Sequence, residues 1–483
     1  MSTVTIGIVW FRQDLRLEDN PALTQACEDC TSVICIFVDD PLDQCVSRLG
    51  GASRVWLHHG LDALDISLQK KGNRLLLAQG DSLGVLQQLI KQSGATRIYW
   101  NRCYDPVTIA RDKDIKAALK EVEPATYNGL LIFEPWENLK GDGTPYRVYT
   151  PFWRAAASQI DGQADLLAVL KAPRKIPALS DKASGKLSAI VSLDALALLP
   201  DKPWHKTMMS HWKVGEVAAR KTLSTFLKKC VHDYNDGRNL PARHGTSKLS
   251  PHLHFGEVSP RTVLKTLLNG RRLAELSAGE ETFAKEIVWR EFAYALIFHY
   301  PHTISEPLDV RFAKFEWARD TDGHLRRWQQ GGTGVPIVDA GMRELYATGW
   351  MHNRVRMIVA SYLIKNLLIP WQSGEAWFRD TLVDADLASN AMGWQWTAGS
   401  GADAAPFFRV FNPVLQGEKF DRDGNYVRRW VPELSNVANK FVHKPWELPE
   451  PERSALEYPD PLVDLKETRQ RALAAFAKIK GTK

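Results

Sequence analysis

Long apolar runs and a regular cysteine framework are both missing from this chain of 483 residues. No run approaches the roughly 20 apolar residues that cross a bilayer, which excludes an integral membrane protein. The N-terminal stretch MSTVTIGIVWFRQD has no basic segment before its short apolar run, so we expect a cytoplasmic protein. The six cysteines follow no regular spacing, and Cys27-x-x-Cys30 has no second pair, so we expect neither disulfides nor a metal there.

Glycine-rich phosphate-binding motifs are missing as well. No G-x-G-x-x-G follows the first strand candidate, and no G-x-x-x-x-G-K-[ST] occurs anywhere in the chain. A dinucleotide or nucleotide held in the usual glycine-rich loop is therefore disfavoured. The 24% of charged residues and the mean hydropathy of -0.28 argue against disorder, and the length leaves room for two to three domains.

Two compositional excesses are present. Residues 1–200 hold 22 Lys and Arg against 23 Asp and Glu, whereas residues 201–483 hold 40 against 33. A basic excess confined to the C-terminal part favours a polyanionic partner for that part. The chain also has 17 tryptophans, ten of them from Trp289 onward, which is more than packing needs.

Hydrophobic periodicity divides the chain. In residues 1–135, short β-rich runs alternate with helical patterns, which predicts a doubly wound parallel sheet with helices on both faces. The strand candidates are residues 5–11, 33–38, 74–77, 97–100 and 130–133, and the helix candidates include 54–70, 83–93 and 108–121. Residues 136–205 are typical of a connection between domains. Residues 206–483 show helical periodicity, which predicts a large all-α domain.

One predicted helix, residues 281–300, carries polar groups on an otherwise apolar surface. Glu286, Trp289 and Arg290 share one helical face. An acid and an arginine in such a helix are costly unless they face a polar cavity. The alternative is a Glu–Arg pair within the helix, which the spacing of four residues favours on its own.

A second segment is Trp350-Met-His-Asn-Arg-Val-Arg-Met357. Asn353, Arg356 and Met357 share a face and lead into an apolar stretch. This pattern indicates either a polar ligand or simply a capped helix start.

A third segment begins Asp384-Ala-Asp-Leu-Ala-Ser-Asn and continues to Gly393-Trp-Gln-Trp. Asp386, Asn390 and Trp394 lie four residues apart and would share a helical face. Asp384 and Asp386 are ordinary caps in one reading and metal ligands in the other. Because no His and no third acid follows at ligand spacing, we predict no metal site.

The loop at residues 236–250 is dense in hydroxyls, glycine and bases. Backbone amides and hydroxyls in such a loop suit phosphate oxygens. The same composition is equally typical of a plain surface loop.

Together these segments resemble a known family. Val9-Trp-Phe-Arg-Gln-Asp-Leu-Arg-Leu-Glu-Asp-Asn20 is similar to the opening of photolyases and cryptochromes. The segments similar to the family's flavin- and lesion-binding parts are Gly245-Thr-Ser-Lys-Leu-Ser, Trp289-Arg-Glu-Phe, Gly349-Trp-Met-His-Asn-Arg-Val-Arg-Met, Asp384-Ala-Asp-Leu-Ala-Ser-Asn and Gly393-Trp-Gln-Trp. They follow the family's order over about residues 4–460, and the similarity is greatest to bacterial cyclobutane pyrimidine dimer photolyases.

The resemblance implies that FAD, active in its reduced form, binds in a bent shape within the helical domain. The residues it implies as FAD contacts are Tyr234, Thr246, Ser247, Lys248, Leu249, Ser250, Arg290, Asn353, Arg356, Asp384, Ala385, Asp386 and Asn390. Among them, Arg356 is expected to pair with Asp384, and Asn390 is expected to face flavin N5.

The resemblance also implies a lesion pocket and an electron relay. The residues it implies on the lesion and DNA side are Glu286, Trp289, Asn353, Arg354, Met357, Trp396 and Arg409. A protonated Glu286 is expected to donate a hydrogen bond to a base carbonyl. The relay from the surface to an oxidised flavin is expected to run through Trp317, Trp371 and Trp394, which accounts for part of the tryptophan excess.

Photolyases bind a second, antenna chromophore against the α/β domain, often a methenyl-folate. Methenyltetrahydrofolate is accordingly favoured here. This sequence has Val107-Thr108 where some folate-binding members carry an Asn-Glu pair, so a deazaflavin, another flavin or no antenna stay open.

The implied function is light-driven repair of cyclobutane pyrimidine dimers by a monomeric enzyme whose partner is UV-damaged DNA and not a membrane. The first alternative is a cryptochrome-type blue-light receptor, although receptors commonly append a long C-terminal tail and this chain stops at Lys483. The second is a photolyase for the six-four photoproduct. Those enzymes typically use a histidine pair in the pocket, and Met357 falls where one of the two is expected.

Overall fold

The structure, a computed structural model, describes residues 5–40, 49–180, 187–320, 322–404 and 408–480. Within these ranges one sheet has the parallel strands β1 (Ile6–Phe11), β2 (Ser32–Asp39), β3 (Leu75–Gln79), β4 (Arg97–Asn101) and β5 (Glu123–Tyr127). Their spatial order is β3-β2-β1-β4-β5. The chain therefore changes its winding direction between β1 and β4, which is the doubly wound arrangement predicted from the sequence.

Helices cover the faces of the sheet. Beyond the sheet, the described chain consists of helices joined by loops and short 3-10 turns. They are α1 (Pro21–Asp29), α2 (Gly51–Gln69), α3 (Ser82–Ser93), α4 (Pro106–Ala118), α5 (Tyr149–Gly162), α6 (Trp204–Ser210), α7 (Glu216–Lys229), α8 (Tyr234–Gly237), α9 (Ser250–His254), α10 (Pro260–Leu268), α11 (Ala278–His299), α12 (His324–Gln329), α13 (Pro336–Thr348), α14 (Asn353–Ser361), α15 (Trp371–Thr381), α16 (Leu387–Ala398), α17 (Pro413–Phe420), α18 (Asn425–Trp430) and α19 (Leu465–Lys480). None of the described helices is long and apolar enough to span a bilayer.

Alternating side chains of the central strands bury both faces of the sheet. In β1, Val9 and Phe11 pack with α1 and α2, whereas Ile8 and Trp10 pack with α3 and α4. A strand covered on both faces has few polar positions, which explains the continuous apolar run seen in the sequence. The first of these clusters also contains Trp350 from the helical part, so the helical part packs on the sheet through this face.

The fifth predicted strand was placed wrongly. Residues 130–133 form no strand, and the edge strand β5 precedes them at Glu123–Tyr127. Pro124 lies in β5. Proline has no backbone N–H to donate, and it is tolerated in an edge strand because one side of that strand pairs with no neighbour. The run at 130–133 is apolar because it is buried against α11, not because it pairs in the sheet.

Helix α11 is buried almost all round, as its apolar sequence predicted. It begins with a capping box in which Ser277 and Glu280 satisfy each other's backbone N–H groups. On its buried side, Glu291 Oε2 accepts the backbone N–H of Ile132 at 2.7 Å and of Phe133 at 3.2 Å. Glu291 thus ties the chain that leaves the sheet to the central helix, and burial raises the pKa of its carboxyl to about 7.

We expect Glu291→Ala to lower the free energy of unfolding by about 2–4 kcal/mol, because it leaves the buried N–H groups of Ile132 and Phe133 without an acceptor. Denaturant unfolding measures the loss. The control is Glu281→Ala on the same helix, which breaks only a partly exposed pair with Lys285 and should cost less than about 0.5 kcal/mol. Equal losses in the two variants would show that the Glu291 tie adds nothing to stability.

Candidate active site

A cavity of about 620 Å³ lies within the helical part, bounded by α8, α9, α11, α14 and α16. This volume is within the range of roughly 300–1,000 Å³ typical of ligand sites. The residues expected from the sequence that line it are Tyr234, Thr246, Ser247, Lys248, Ser250, Glu286, Trp289, Arg290, Asn353, Arg356, Met357, Asp384, Ala385, Asp386, Asn390, Trp394 and Trp396. The structure therefore brings side chains from distant parts of the sequence to one cavity.

The loop before α9 supplies hydroxyls and one cation to the cavity wall. A Cβ at Gly245 would overlap the backbone of Gly237, so glycine allows the loop to pass close to α8. Lys248 adopts a positive φ of 53° and places Nζ 5.5 Å from the ring centre of Trp212 and 5.0 Å from that of Trp350. Burial lowers the pKa of Lys248. The loop suits an anionic group, as its composition indicated.

Two acids before α16 are held in different ways. Arg356 Nη2 donates to both carboxylate oxygens of Asp384, to Oδ1 at 3.0 Å and to Oδ2 at 2.8 Å, which confirms the expected pair. Asp386 caps α16 by accepting the N–H of Ser389 at 2.9 Å and also accepts the hydroxyl of Tyr294. Burial alone would raise the pKa of Asp386, but His254, Arg290 and Tyr294 outweigh it and hold the pKa below its usual value.

Two side chains that border this cavity have buried nitrogens without a hydrogen-bond partner among the described residues. Arg290 donates through Nη1 to the Leu130 carbonyl at 3.0 Å, but its Nε and Nη2 find no partner among the described residues. Neither ring nitrogen of His254 has a hydrogen-bond partner among the described residues, although Nδ1 lies 3.8 Å from Asp386 Oδ2, within range of an electrostatic contact. Unpaired buried donors cost about 1–3 kcal/mol each. The cavity therefore fits a ligand that brings anionic or carbonyl acceptors, as the phosphates and flavin ring of FAD would.

The orientation of Asn390 depends on a residue that sequence reasoning missed. Asn390 Nδ2 donates to Glu375 Oε1 at 2.9 Å and to the Glu375 carbonyl at 3.2 Å. With its donor side occupied, the amide oxygen is left for a group in the cavity. Glu375 gave no signal of its own, because an acid on an amphipathic helix is ordinarily solvated.

The expected lesion side has two further residues that the sequence did not single out. Arg238 Nη1 lies 2.7 Å from Glu286 Oε1. Burial raises the pKa of Glu286, and Arg238 opposes that shift without cancelling it. Trp289 stacks on Tyr149 with ring centres 3.6 Å apart, which fixes the indole plane. The only sequence signal for Arg238 was its place in the basic loop at 236–250.

The three expected relay tryptophans belong to one apolar region. Trp394 and Trp371 are buried in the same cluster, and the half-buried Trp317 packs against it. Trp394 contacts Phe378 edge to face, with ring centres 4.9 Å apart. Gly374, one turn after Trp371 on α15, lies against the Trp394 ring.

Besides Trp317 and Trp371 of the expected relay, three further expected site residues lie outside the main cavity. The side chain of Leu249 is buried in the core next to it. Arg354 donates to Asn239 Oδ1 at 2.5 Å and covers the ring of Phe420 at 4.4 Å. Arg409 is exposed and borders a smaller cavity beside Trp396. In the described part of the chain, no cluster of His, Cys, Asp and Glu is suited to a metal ion.

Two family models match the chain. One, described as the FAD binding domain of DNA photolyase, matches residues 283–478, and the other, described as DNA photolyase, matches residues 7–174. The helical part thus corresponds to a FAD-binding domain.

Relatives and solved structures agree with these models. The chain is 48% identical to a deoxyribodipyrimidine photo-lyase of Agrobacterium fabrum over 98% of each chain. It is 39% identical to Cryptochrome-1 of Arabidopsis thaliana over 98% of this chain and 70% of that protein. A bacterial class III photolyase from Agrobacterium tumefaciens superposes with a TM-score of 0.91 at 46% identity, covering 100% of this chain and 99% of that one. The chain belongs to the DNA photolyase family, to which the cryptochromes are related.

We expect Gly374→Ala to lower the free energy of unfolding by about 1–3 kcal/mol, because the added methyl group overlaps the Trp394 ring. Retention of bound flavin should fall with it, since Trp394 lines the cavity. Thermal unfolding and the ratio of flavin to protein measure the two effects. The control is Gly162→Ala, where an added Cβ meets nothing within 4 Å. A Gly374→Ala variant as stable and as flavin-rich as the control would contradict the packing described here.

Proposed function

We propose that this chain repairs cyclobutane pyrimidine dimers in UV-damaged DNA, a carbon–carbon lyase reaction driven by light. The observation that carries the proposal is that the expected FAD contacts and the expected lesion contacts line one and the same cavity. Reduced FAD bound there would supply, on excitation, the electron that splits the dimer and would regain it afterwards. The protein itself would bind the flavin and the dimer, orient them towards each other and polarise the dimer through hydrogen bonds.

The lesion side of the cavity suits a base that has left the duplex. A dimer must be flipped out before it can be reached, and its weakened pairing makes that cheaper. Trp289, Trp396 and Met357 offer apolar surface to it. A protonated Glu286 would donate a hydrogen bond to a base carbonyl, and the raised pKa of its carboxyl favours that form.

Charges outside the cavity suit the DNA backbone. The excess of Lys and Arg lies in residues 201–483. Arg354 and the exposed Arg409 flank the lesion side and would contact phosphates. Affinity for DNA should therefore fall with rising salt.

Two other functions compete with this one. A receptor function is favoured by the identity to Arabidopsis Cryptochrome-1. Repair is favoured by the presence of Glu286, Trp289 and Met357 together in the cavity. Repair of the six-four photoproduct is disfavoured because Met357 lines the cavity where that enzyme class typically places a histidine.

We also propose that residues 1–135 form an antenna-binding domain, joined by residues 136–205 to the catalytic domain at 206–483. A second cavity of about 120 Å³ lies at the carboxyl ends of β1 and β4, where Trp10 Nε1 has no partner among the described residues. Ligands of doubly wound sheets bind at such switch points. Methenyltetrahydrofolate is the favoured antenna. A deazaflavin, another flavin or no antenna are the alternatives, and a related archaeal photolyase from Sulfolobus tokodaii has two FAD molecules.

We expect the purified protein to repair thymine dimers only under near-UV or blue light, and Trp394→Phe to block photoreduction of oxidised flavin. Repair by the variant should survive when the flavin is first reduced chemically, because the relay feeds the flavin and takes no part in splitting the dimer. Absorption changes under illumination and dimer loss from an oligonucleotide measure the two activities. Trp446→Phe, away from the cavity, is the control.

Repair by the parent protein at the same rate in darkness would refute the proposed function. Photoreduction of Trp394→Phe as fast as that of Trp446→Phe would refute only the assigned route.

We expect Glu286→Ala to lower the repair yield per bound lesion more than it lowers DNA affinity. The hydrogen bond acts on a carbonyl that gains negative charge only during the reaction, so its loss, worth on the order of 1–3 kcal/mol, acts mainly after binding. Phosphate contacts, which supply much of the affinity, are unaffected. Yields and dissociation constants at fixed salt separate the two effects.

The same residue should give repair a pH dependence. Since burial raises the pKa of Glu286, the protonated donor is lost as pH rises through that pKa, and the yield per bound lesion should fall. Glu286→Gln keeps a donor at every pH, so its profile should be flat. Parallel profiles for the parent and Glu286→Gln would contradict the assigned role, and Glu281→Gln should follow the parent.

A further inference from the structure

Lys365 is a buried cation near the cavity that the proposed chemistry does not use. It lies on a π-helical turn, Tyr362–Asn366, that continues α14, and it is only 1% exposed. No carboxylate in the described part of the chain pairs with it, and burial lowers the pKa of its amino group well below the usual value. A buried charge without a counterion is costly, so its other contacts must account for it.

The ammonium of Lys365 joins three segments. Nζ donates to the carbonyl of Ala398, the last residue of α16, at 2.7 Å. It also lies 3.1 Å from the centre of the Phe408 ring. A cation at the negative end of the α16 dipole and over an aromatic face is stabilised by both. One side chain thus holds the π-turn, the end of α16 and the stretch that contains Phe408.

Two residues of the expected lesion side are next to these contacts in the chain. Trp396 lies two residues before Ala398, and Arg409 directly follows Phe408. Lys365, Trp396 and Arg409 also border the same small cavity. Gln395 of α16 is held separately: its Nε2 donates to the carbonyl of Thr303 at 2.6 Å and to that of Glu306 at 2.8 Å.

We propose that Lys365 is a positioning residue for lesion recognition: its ammonium fixes the end of α16 against the Phe408 stretch, and so sets Trp396 and Arg409 in the arrangement that binds a flipped dimer. This inference rests on the proposed function. Methionine has the length of lysine without its charge, so Lys365→Met removes the tie while filling the same space.

We therefore expect Lys365→Met to weaken recognition of the lesion without weakening binding to undamaged DNA. Its affinity for a duplex with one thymine dimer should fall about tenfold, the size expected for losing a hydrogen bond to a charged group. Its affinity for the undamaged duplex should stay near that of the parent, whereas its melting temperature should fall modestly because the Ala398 carbonyl loses its donor. Lys365→Arg keeps the charge and should recover part of the discrimination.

The experiment uses the full chain loaded with FAD. Fluorescence anisotropy at fixed salt gives both dissociation constants, and hydrogen exchange of residues 395–400 and 408–411 should be faster in Lys365→Met than in the parent. The matched control is Lys478→Met, an exposed lysine paired with Glu316 at 2.6 Å. Should Lys365→Met fail to fold, Phe408→Leu, which removes the aromatic face alone, is expected to lose discrimination in the same direction.

Parent-like discrimination by Lys365→Met would overturn the inference and leave Lys365 a packing residue. If only Phe408→Leu can be measured, parent-like discrimination by that variant has the same meaning. Equal parent affinity for damaged and undamaged duplexes would instead overturn the proposed function, and this inference with it.

Discussion

A polar cavity enclosed by apolar helices is the constraint on which the rest of this structure depends. Arg290 and His254, which border it, have buried nitrogens without a hydrogen-bond partner among the described residues. Such donors are tolerable only if a ligand accepts from them, because each unsatisfied buried group costs about 1–3 kcal/mol. A bound ligand would therefore complete the hydrogen bonding of the buried polar groups on these helices. The apolar and largely buried surface of α11 packs this helix against its neighbours and keeps its polar groups in place.

Charge pairs around the cavity divide it into two chemical regions. On one side Arg356 neutralises Asp384, and Lys248 and Arg290 remain for anionic groups. On the other side Glu286 is paired with one arginine and has a raised pKa, which suits a proton donor. The two regions share one cavity, so a cofactor in the first and a substrate in the second would be in direct contact. Close contact of this kind is what electron transfer between them requires.

Much of the fold could be predicted because its signals are local. Alternating apolar residues such as Ile8 and Val9 identified β1, and the even burial of α11 was visible in its composition. The run at residues 130–133 was misassigned because an apolar stretch buried against a helix has the same pattern as a buried strand. Its true role depends on Glu291, which no local pattern connects to it.

The site could be predicted only in part for the same reason. The residues in continuous motifs were found through their family resemblance, and most of them line one cavity. Arg238, Glu375 and Tyr149 were missed because each acts through a partner distant in the sequence, so spacing carries no information about them. Such pairs are visible only once the chain is folded.

The central claim, that the large cavity is built around FAD, is tested most directly by thermal unfolding of flavin-free protein at increasing FAD concentration. A ligand that binds only the folded state adds about 2.7 kcal/mol of stability at a hundredfold excess over its dissociation constant. The account predicts that the melting temperature rises steadily with the logarithm of FAD concentration. A melting temperature that does not change across that range would contradict it.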